Sequence, residues 1–201
     1  MADPQVRIGH CSPDAPNVDI HVDGSPAFED VAFEDISEYT TLTPGNHEIR
    51  ITPAGEDETV LETTLRLETD AMYTALATGM LEDLQISAFE DDPGEVPSGK
   101  SHVRFIHASP DAPRVAVQVK GGPKLFRRMK FRKASDYKPV DAGTYDIDVM
   151  PRGSDEPALS LPGLRFDGGT AYSAIAIGQV ADGSLDALLV EDAVVELAAD
   201  D

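Results

Sequence analysis

An internal repeat constrains this chain more than any other feature of its sequence. Residues 6–16 return 97 positions later as residues 103–113, and eight of the eleven positions are identical. The match continues at nearly the same offset, for example from Tyr39 to Tyr137. Because similarity at a fixed offset is typical of repeated folding units, the 201 residues predict two tandem domains with one fold.

The domain boundaries are predicted from local composition. Residues 91–99 are rich in Pro, Gly and acidic residues, a composition typical of an exposed linker. We expect a first domain at residues 1–92, a linker at 93–99 and a second domain at 100–201.

The apolar residues of each repeat recur with a period of two. Val18, Ile20 and Val22 alternate with polar residues, as do Ile49 and Ile51, and this pattern predicts half-buried strands rather than helices. Frequent Gly and Pro turn signals divide each repeat into about seven short strands over roughly 95 residues. We therefore predict an all-β fold of two tandem antiparallel β-sandwich domains, immunoglobulin-like or transthyretin-like.

A repeated signature, His-x-Ser-Pro-Asp-Ala-Pro, opens each half at residues 10–16 and 107–113. With the strand pattern at residues 18–24 and the runs at 43–55 and 73–79, it resembles domain-of-unknown-function family number 4397 over nearly all of both halves. The resemblance implies a bacterial or archaeal protein of a kind often exported or attached to the cell surface. It implies no established activity.

The chain is strongly acidic, with 37 Asp and Glu against 16 Lys and Arg and a formal net charge of -21. This balance argues against a protein that coats DNA or anionic membranes with its whole surface. The acidic excess and the lack of any lysine before Lys100 are typical of proteins kept soluble in concentrated salt. We expect a halophilic and, with the family resemblance, a haloarchaeal source.

The ends and the cysteine content bear on location. Residues 1–5 show no basic region followed by an apolar one, and no window of the chain is long and apolar enough for a transmembrane segment. These features predict a cytoplasmic protein, with the cell surface as the alternative that the resemblance implies. The single cysteine, Cys11, cannot form an internal disulfide.

The repeated signature is the first candidate site, because it places an imidazole and a carboxylate close together in each domain. Two prolines around the aspartate favour a tight structural turn, in which Ser and Asp side chains bond to the local backbone. A metal-dependent binder or a hydrolytic enzyme is the alternative. The residues concerned are His10, Ser12, Asp14, His107, Ser109 and Asp111.

A second candidate is a stripe of Asp19, His21 and Asp23, which alternation places on one strand face and which could hold a divalent cation. The second repeat carries Ala116, Gln118 and Lys120 there. Because the stripe is not shared, we favour a solvated strand face.

Three other residue types are interpreted as structural. His47 is expected to be a half-buried packing residue, and Tyr39 and Tyr137 are expected to be core aromatics with hydroxyls bonded at the rim. Cys11, which is Ala108 in the other copy, is expected to be a small buried side chain. Since no other enzyme or cofactor motif is present, we predict neither catalysis nor a cofactor.

The third candidate is a segment whose charge reverses between the repeats. At an offset of 98, residues 29–35 align with residues 127–133, and the apolar positions persist while four acids become four bases. The acids are Glu29, Asp30, Glu34 and Asp35. Seven of the sixteen cations of the chain lie in the basic segment at residues 120–133. They are Lys120, Lys124, Arg127, Arg128, Lys130, Arg132 and Lys133.

Three interpretations of this reversal stay open. The two segments could dock on each other within one chain, or the basic segment of one molecule could meet the acidic domain of another. Alternatively, the basic segment, with Phe126 and Phe131 interleaved, could bind nucleic acid or an anionic surface. The prediction is a non-enzymatic binding or assembly module whose partner is a protein, itself included.

Overall fold

Alternating apolar residues separated by Gly and Pro turns form strands throughout the computed structural model, which describes residues 1–192. The all-β prediction is confirmed, and the only helical element in that range is one 3-10 turn at Leu81–Asp83. No helix of these residues is long and apolar enough to cross a membrane.

Domain 1 contains eight strands in two sheets. The first sheet has the order β4-β1-β7-β8 and the second the order β3-β2-β5-β6. The strands are β1 Gln5–Cys11, β2 Val18–Val22, β3 Ser25–Val31, β4 Thr40–Thr41, β5 Gly45–Pro53, β6 Leu61–Leu67, β7 Met72–Thr78 and β8 Gln85–Glu90.

Domain 2 repeats this arrangement. One sheet has the order β12-β9-β16-β17, with β13 also paired to β9, and the other has the order β11-β10-β14-β15. The strands are β9 Lys100–His107, β10 Val115–Val119, β11 Lys124–Met129, β12 Lys133–Ala134, β13 Lys138–Asp141, β14 Gly143–Pro151, β15 Leu159–Phe166, β16 Thr170–Ile177 and β17 Asp186–Asp192.

The pairing differs from a wholly antiparallel sandwich at one place in each domain. β1 pairs with β7 in parallel, and β9 pairs with β16 in parallel. The chain leaves β1 for the second sheet and returns to the first through β7, so both strands run the same way. A period of two in the sequence reports which face is buried and not the direction of the neighbouring strand.

Each domain has its own core between its two sheets. In domain 1, Ile8 from the first sheet lies in one cluster with Ile20 and Ile51 from the second. In domain 2 the corresponding cluster contains Phe105 and Val117. The inward positions predicted from the alternation are therefore the ones that hold the sandwich together, because burying apolar side chains is the main favourable term in folding.

The chain divides into two compact units, Met1–Asp91 and the residues from Asp92 onward, with Ala108–Pro110 grouped with the first unit. The interpretation of residues 91–99 as wholly exposed needs a correction. Asp91 is 5% exposed, because its carboxylate accepts hydrogen bonds from inside domain 1.

Candidate functional site

The charge-reversed segments occupy equivalent places in the two domains. Phe28 lies opposite Ile20, and Phe126 lies opposite Val117, in the same register of the edge hairpin. The backbone follows the same irregular path, since Asp30 and Arg128 have φ values of 54° and 58°. The offset of 98 therefore relates residues that share a backbone position and differ in charge.

Three of the predicted cations line an open cleft of about 740 Å³ on the outer face of β10, β11 and β14. Ala116, Gln118 and Met150 also line this cleft, which we call the basic cleft. Two further cations line it from the start of β10 and from the turn after β14. The five cations are Arg114, Lys124, Arg127, Arg128 and Arg152.

One acidic residue, Asp155, also lines the basic cleft. Among residues 1–192, none of the five cationic side chains forms an ion pair with a neighbour. Like charges that are gathered without partners attract an anion from solution. The basic cleft therefore concentrates positive charge on one face of domain 2.

Sequence reasoning identified one wall of the basic cleft and missed the other. Arg114 and Arg152 are 38 positions apart in the chain, and pairing of β10 with β14 brings them together, with the Arg152 N–H donating to the Arg114 carbonyl at 2.8 Å. The remaining predicted cations are not in this cleft. They are Lys120, Lys130, Arg132 and Lys133.

The equivalent positions of domain 1 carry no lysine or arginine, and His21 stands in the place of Gln118. Asn17, Ala54 and Pro26 stand where domain 2 has Arg114, Arg152 and Lys124, and acids replace the remaining two arginines. The predicted acids of this segment are all exposed, namely Glu29, Asp30, Glu34 and Asp35.

The interleaved aromatics do not line the basic cleft. Phe126 is 3% exposed and belongs to the core of domain 2, where it lies against Phe105. Phe131 is half-buried and packs edge-on against His107, and the Arg132 guanidinium lies over the Phe131 ring, 4.7 Å from its centroid. Neither ring is free for stacking on a base, because both are used in packing.

The Asp19, His21, Asp23 stripe is divided between two separate structural roles. The Asp19 carboxylate accepts hydrogen bonds from the backbone N–H groups of Asp30 at 2.8 Å and Gly55 at 2.9 Å. These bonds lower the pKa of Asp19. Asp23 faces His47 instead, and no three metal-ligating side chains come together in the range 1–192.

His47 is more than the packing residue that its position predicts. Its Nδ1 lies 2.7 Å from the Asp23 carboxylate, and its Nε2 lies 2.7 Å from the Thr43 carbonyl. Burial alone would lower its pKa, but the two acceptors outweigh burial and raise it. Domain 2 has Tyr145 and Lys120 in these places, so this ion pair belongs to domain 1 alone.

The signature histidine of domain 1 has both ring nitrogens engaged with backbone. His10 is fully buried; its Nε2 lies 3.0 Å from the Pro16 carbonyl and its Nδ1 accepts from the Ser12 N–H at 3.3 Å. In domain 2, His107 Nε2 lies 3.2 Å from the Pro113 carbonyl. Burial lowers the pKa of both imidazoles, which keeps them neutral.

The signature aspartates bond to backbone elsewhere in their own domains. Asp14 accepts the Leu81 N–H at 2.8 Å, and Asp111 accepts the N–H groups of Val180 and Ala181, each at 2.8 Å. The serines, Ser12 and Ser109, are buried. These contacts tie the turn after the first strand of each domain to the connection between its last two strands.

Cys11 is fully buried next to this turn. Burial raises the pKa of its thiol to about 12, so the thiolate needed for nucleophilic chemistry does not form at neutral pH.

A buried polar network under the first strand of each domain was not predicted. In domain 1 the Arg7 Nε donates to the Thr74 hydroxyl at 2.9 Å, and the hydroxyls of Thr74 and Tyr39 donate to the Asp91 carboxylate. Arg7 also lies 4.8 Å from the centroid of the Tyr39 ring.

Domain 2 repeats the network member for member. Arg104 bonds to Ser173, and both Ser173 and Tyr137 donate to Asp192. The identity of Arg7 and Arg104 in the repeat was the signal available. It was obscured because Asp91 lies in a stretch with the composition of a linker.

Comparison with known proteins gives the chain a family. Among solved structures, "Crystal structure of CBMbc (family CBM26) from Eubacterium rectale Amy13K in Complex with Maltoheptaose" is 9% identical and covers 95% of this chain and 98% of that one, with a TM-score of 0.31. Similarity of that size supports no inference. No curated protein matches the chain. The predicted resemblance is confirmed: the model of one family matches residues 4–119 and 101–201, and the chain therefore belongs to the family described as Domain of unknown function (DUF4397).

Proposed function

We propose that this protein is a non-enzymatic binding module whose basic cleft binds an acidic protein surface, and that the acidic segment at residues 29–35 of another copy is one such surface. The observation that carries the proposal is the basic cleft itself, in which five cations lack partners among the described residues.

The non-enzymatic part of the proposal is supported by the state of the candidate catalytic groups. His10 and His107 are buried and bonded to backbone carbonyls, and the Cys11 thiol stays protonated at neutral pH. A general base or nucleophile must reach its substrate with a free lone pair. These groups would have to leave their present contacts to do so.

Self-association is supported by the matching of opposite charges on one chain. Residues 1–97 carry 3 basic and 22 acidic residues, whereas the basic cleft gathers cations on domain 2. A contact between domain 2 of one molecule and domain 1 of the next joins unlike surfaces, so it closes into a ring or extends into a polymer. The attraction between the acidic and basic surfaces weakens in salt, since the Debye length falls to about 3 Å at 1 M.

The test is the absolute mass of the protein by light scattering on a sizing column, at low and at multimolar KCl. We expect oligomers at low salt whose proportion falls as salt rises, with the closest, partly buried cation–carboxylate pairs screened least. The variant Arg127→Glu/Arg128→Glu should be monomeric at low salt. The matched control, Lys100→Glu/Arg165→Glu, makes the same charge change at exposed cations outside the cleft and should associate like the parent chain.

A reciprocal pair of variants makes this test specific. Glu29→Arg/Asp30→Arg should also be monomeric, and mixing it with Arg127→Glu/Arg128→Glu should restore association, because the intact basic cleft of the first variant can bind the intact acidic segment of the second. A parent chain that is monomeric at every salt concentration overturns self-association. Binding of single-stranded DNA that is lost in Arg127→Glu/Arg128→Glu, without any association, would replace the acidic protein by a polyanion.

A further inference from the structure

Domain 1 contains a carboxylate bound in a small backbone cradle. Each oxygen of the Asp19 side chain accepts one hydrogen bond, Oδ1 from the Asp30 N–H at 2.8 Å and Oδ2 from the Gly55 N–H at 2.9 Å. The two donors come from separate parts of the domain, one from the bulge in β3 and one from the turn after β5. They are therefore spaced to take both oxygens of one carboxylate.

Domain 2 keeps the backbone of this cradle. Arg128 and Gly153, the equivalents of Asp30 and Gly55, have φ values of 58° and 81°, against 54° and 74° in domain 1. The turn is closed by the same backbone bonds, from Arg152 to Arg114 and from Ser154 to Pro151, at 2.8 Å and 3.2 Å. The corresponding bonds of domain 1 measure 2.8 Å and 3.0 Å.

The carboxylate is the part that domain 2 lacks. Ala116 stands in the place of Asp19, and its methyl group offers no acceptor to the two N–H groups. Ala116, Arg128 and Gly153 all line the basic cleft. The position that the Asp19 side chain fills in domain 1 thus belongs to the basic cleft in domain 2, which five cations also line.

We propose that this position is a carboxylate-binding subsite, in which the backbone N–H groups of Arg128 and Gly153 bind a carboxylate of the ligand as their counterparts bind Asp19. The inference rests on the proposed function and names the chemical group that the basic cleft recognises. Arg127 and Arg152 supply positive charge in the cleft that contains the subsite, and Asp155, which also lines this cleft, disfavours negative ligand groups close to its own carboxylate.

The geometry favours a carboxylate on an acidic side chain over a larger anion. The built-in example in domain 1 is an aspartate with two oxygens and two donors. Backbone N–H groups that bond to an ionised acceptor form strong, directional bonds. A protein that presents Asp or Glu side chains would place one of them in the subsite and others against the cations.

The first experiment is a titration of the 15N-labelled full chain with sodium acetate, followed through backbone amide resonances. The amides of Arg128 and Gly153 should shift to lower field and saturate together. The amides of Asp30 and Gly55 provide the internal reference, because their carboxylate is already bound, and they should not move. A titration with inorganic phosphate at the same ionic strength tests the anion. Saturation by phosphate without a response to acetate overturns the assignment of a carboxylate.

Two substitutions exchange the domains with respect to the carboxylate in the cradle: one adds it to domain 2, and the other removes it from domain 1. Ala116→Asp installs the residue that the same backbone accommodates in domain 1, and it should fill the subsite and weaken acetate binding by at least about tenfold, because the added charge competes directly. The reciprocal variant, Asp19→Ala, should move the Asp30 and Gly55 amides to higher field and give the reference positions of an empty cradle. Unchanged acetate binding in Ala116→Asp overturns the proposal.

The proposal and the proposed function fail in different ways. If the parent chain self-associates and Ala116→Asp associates equally well, the basic cleft binds acidic protein without using the subsite. If acetate saturates the two amides but the parent chain stays monomeric and binds no polyglutamate peptide, the subsite stands and the protein partner does not.

Discussion

The two domains share a backbone and differ in the charge that it carries outward. The edge hairpin of domain 1 presents Glu29 and Asp30, whereas the same hairpin of domain 2 presents Arg127 and Arg128. The core clusters and the network beneath the first strand are matched between them. The comparison separates the inward-facing residues, which are matched between the domains, from the solvent-facing charged residues, to which we assign the proposed binding.

The strongest way to break this equivalence is to remove the carboxylate of the buried network. Asp91→Ala should destabilise domain 1 by about 3–5 kcal/mol, because it leaves the buried Arg7 guanidinium without the negative charge of the network. Asp192→Ala should destabilise domain 2 by a similar amount. Urea titrations followed through amide resonances of β5 and β14 measure the two domains in one chain.

The matched control for this prediction is Asp92→Ala. Asp92 is the exposed neighbour of Asp91, and its removal should change stability by about 0.5 kcal/mol or less. A large loss from Asp91→Ala with little loss from Asp192→Ala would show that the network stabilises only one of the repeats.

A smaller effect should distinguish the domains by pH. The pKa of His47 is raised in the folded state, so its contribution is present below about pH 6.5 and is lost as pH rises through the folded value. Domain 1 should therefore lose stability as the pH rises above about 6.5, and domain 2, which has Tyr145 in the place of His47, should not. Urea titrations at several pH values measure this.

Two histidine variants identify the residue that makes the stability of domain 1 depend on pH above about 6.5. His47→Tyr should remove this dependence, and His21→Gln, which also installs the residue of domain 2, should leave it in place. Below about pH 6.5 both domains should weaken together, because the lowered pKa values of His10 and His107 favour protonation in the unfolded chain. A slope above pH 6.5 that survives His47→Tyr would contradict the assignment.

The smallest difference concerns the residue after the signature histidine. Cys11→Ala installs the Ala108 of domain 2 and should cost about 1 kcal/mol, the scale of one small buried group. The Cys11 thiol should not react with an aromatic disulfide reagent at pH 8 until the chain is unfolded, because it is fully buried with a pKa of about 12. Ala108→Cys is the reciprocal variant. Rapid labelling of the thiol at position 11 or 108 in the folded protein would contradict the burial of that position.

The sequence predicts the class and number of the domains because both patterns can be seen in the order of the residues alone. Alternation at Val18, Ile20 and Val22 reports burial on one face, and the repeat reports a second copy. The parallel pairing of β1 with β7 escapes such reasoning, since it depends on how the chain crosses between sheets. The buried role of Asp91 escapes it for the same reason, because its partners are 17 and 52 positions away.

Some residues of the candidate site could be predicted from the sequence, and others could be found only from the structure. Arg127 and Arg128 are conspicuous in the sequence because they belong to a dense run of cations. Arg114 and Arg152 are isolated in the chain, and only the pairing of their strands brings them to the basic cleft. Ala116 carries no signal by itself. The proposal of a subsite at Ala116 depends on the hydrogen bonds that Asp19 accepts at the equivalent position of domain 1.

The left-handed backbone at Asp30 and Arg128 has a consequence for how such a module can evolve. This conformation costs an ordinary residue about 1–2 kcal/mol, and glycine would adopt it without that cost. Both domains nevertheless keep a charged residue there, with φ values of 54° and 58°. After duplication, selection could thus exchange acid for base at a projecting corner without remodelling the scaffold, and the same corner offers a position at which a new specificity can be installed by design.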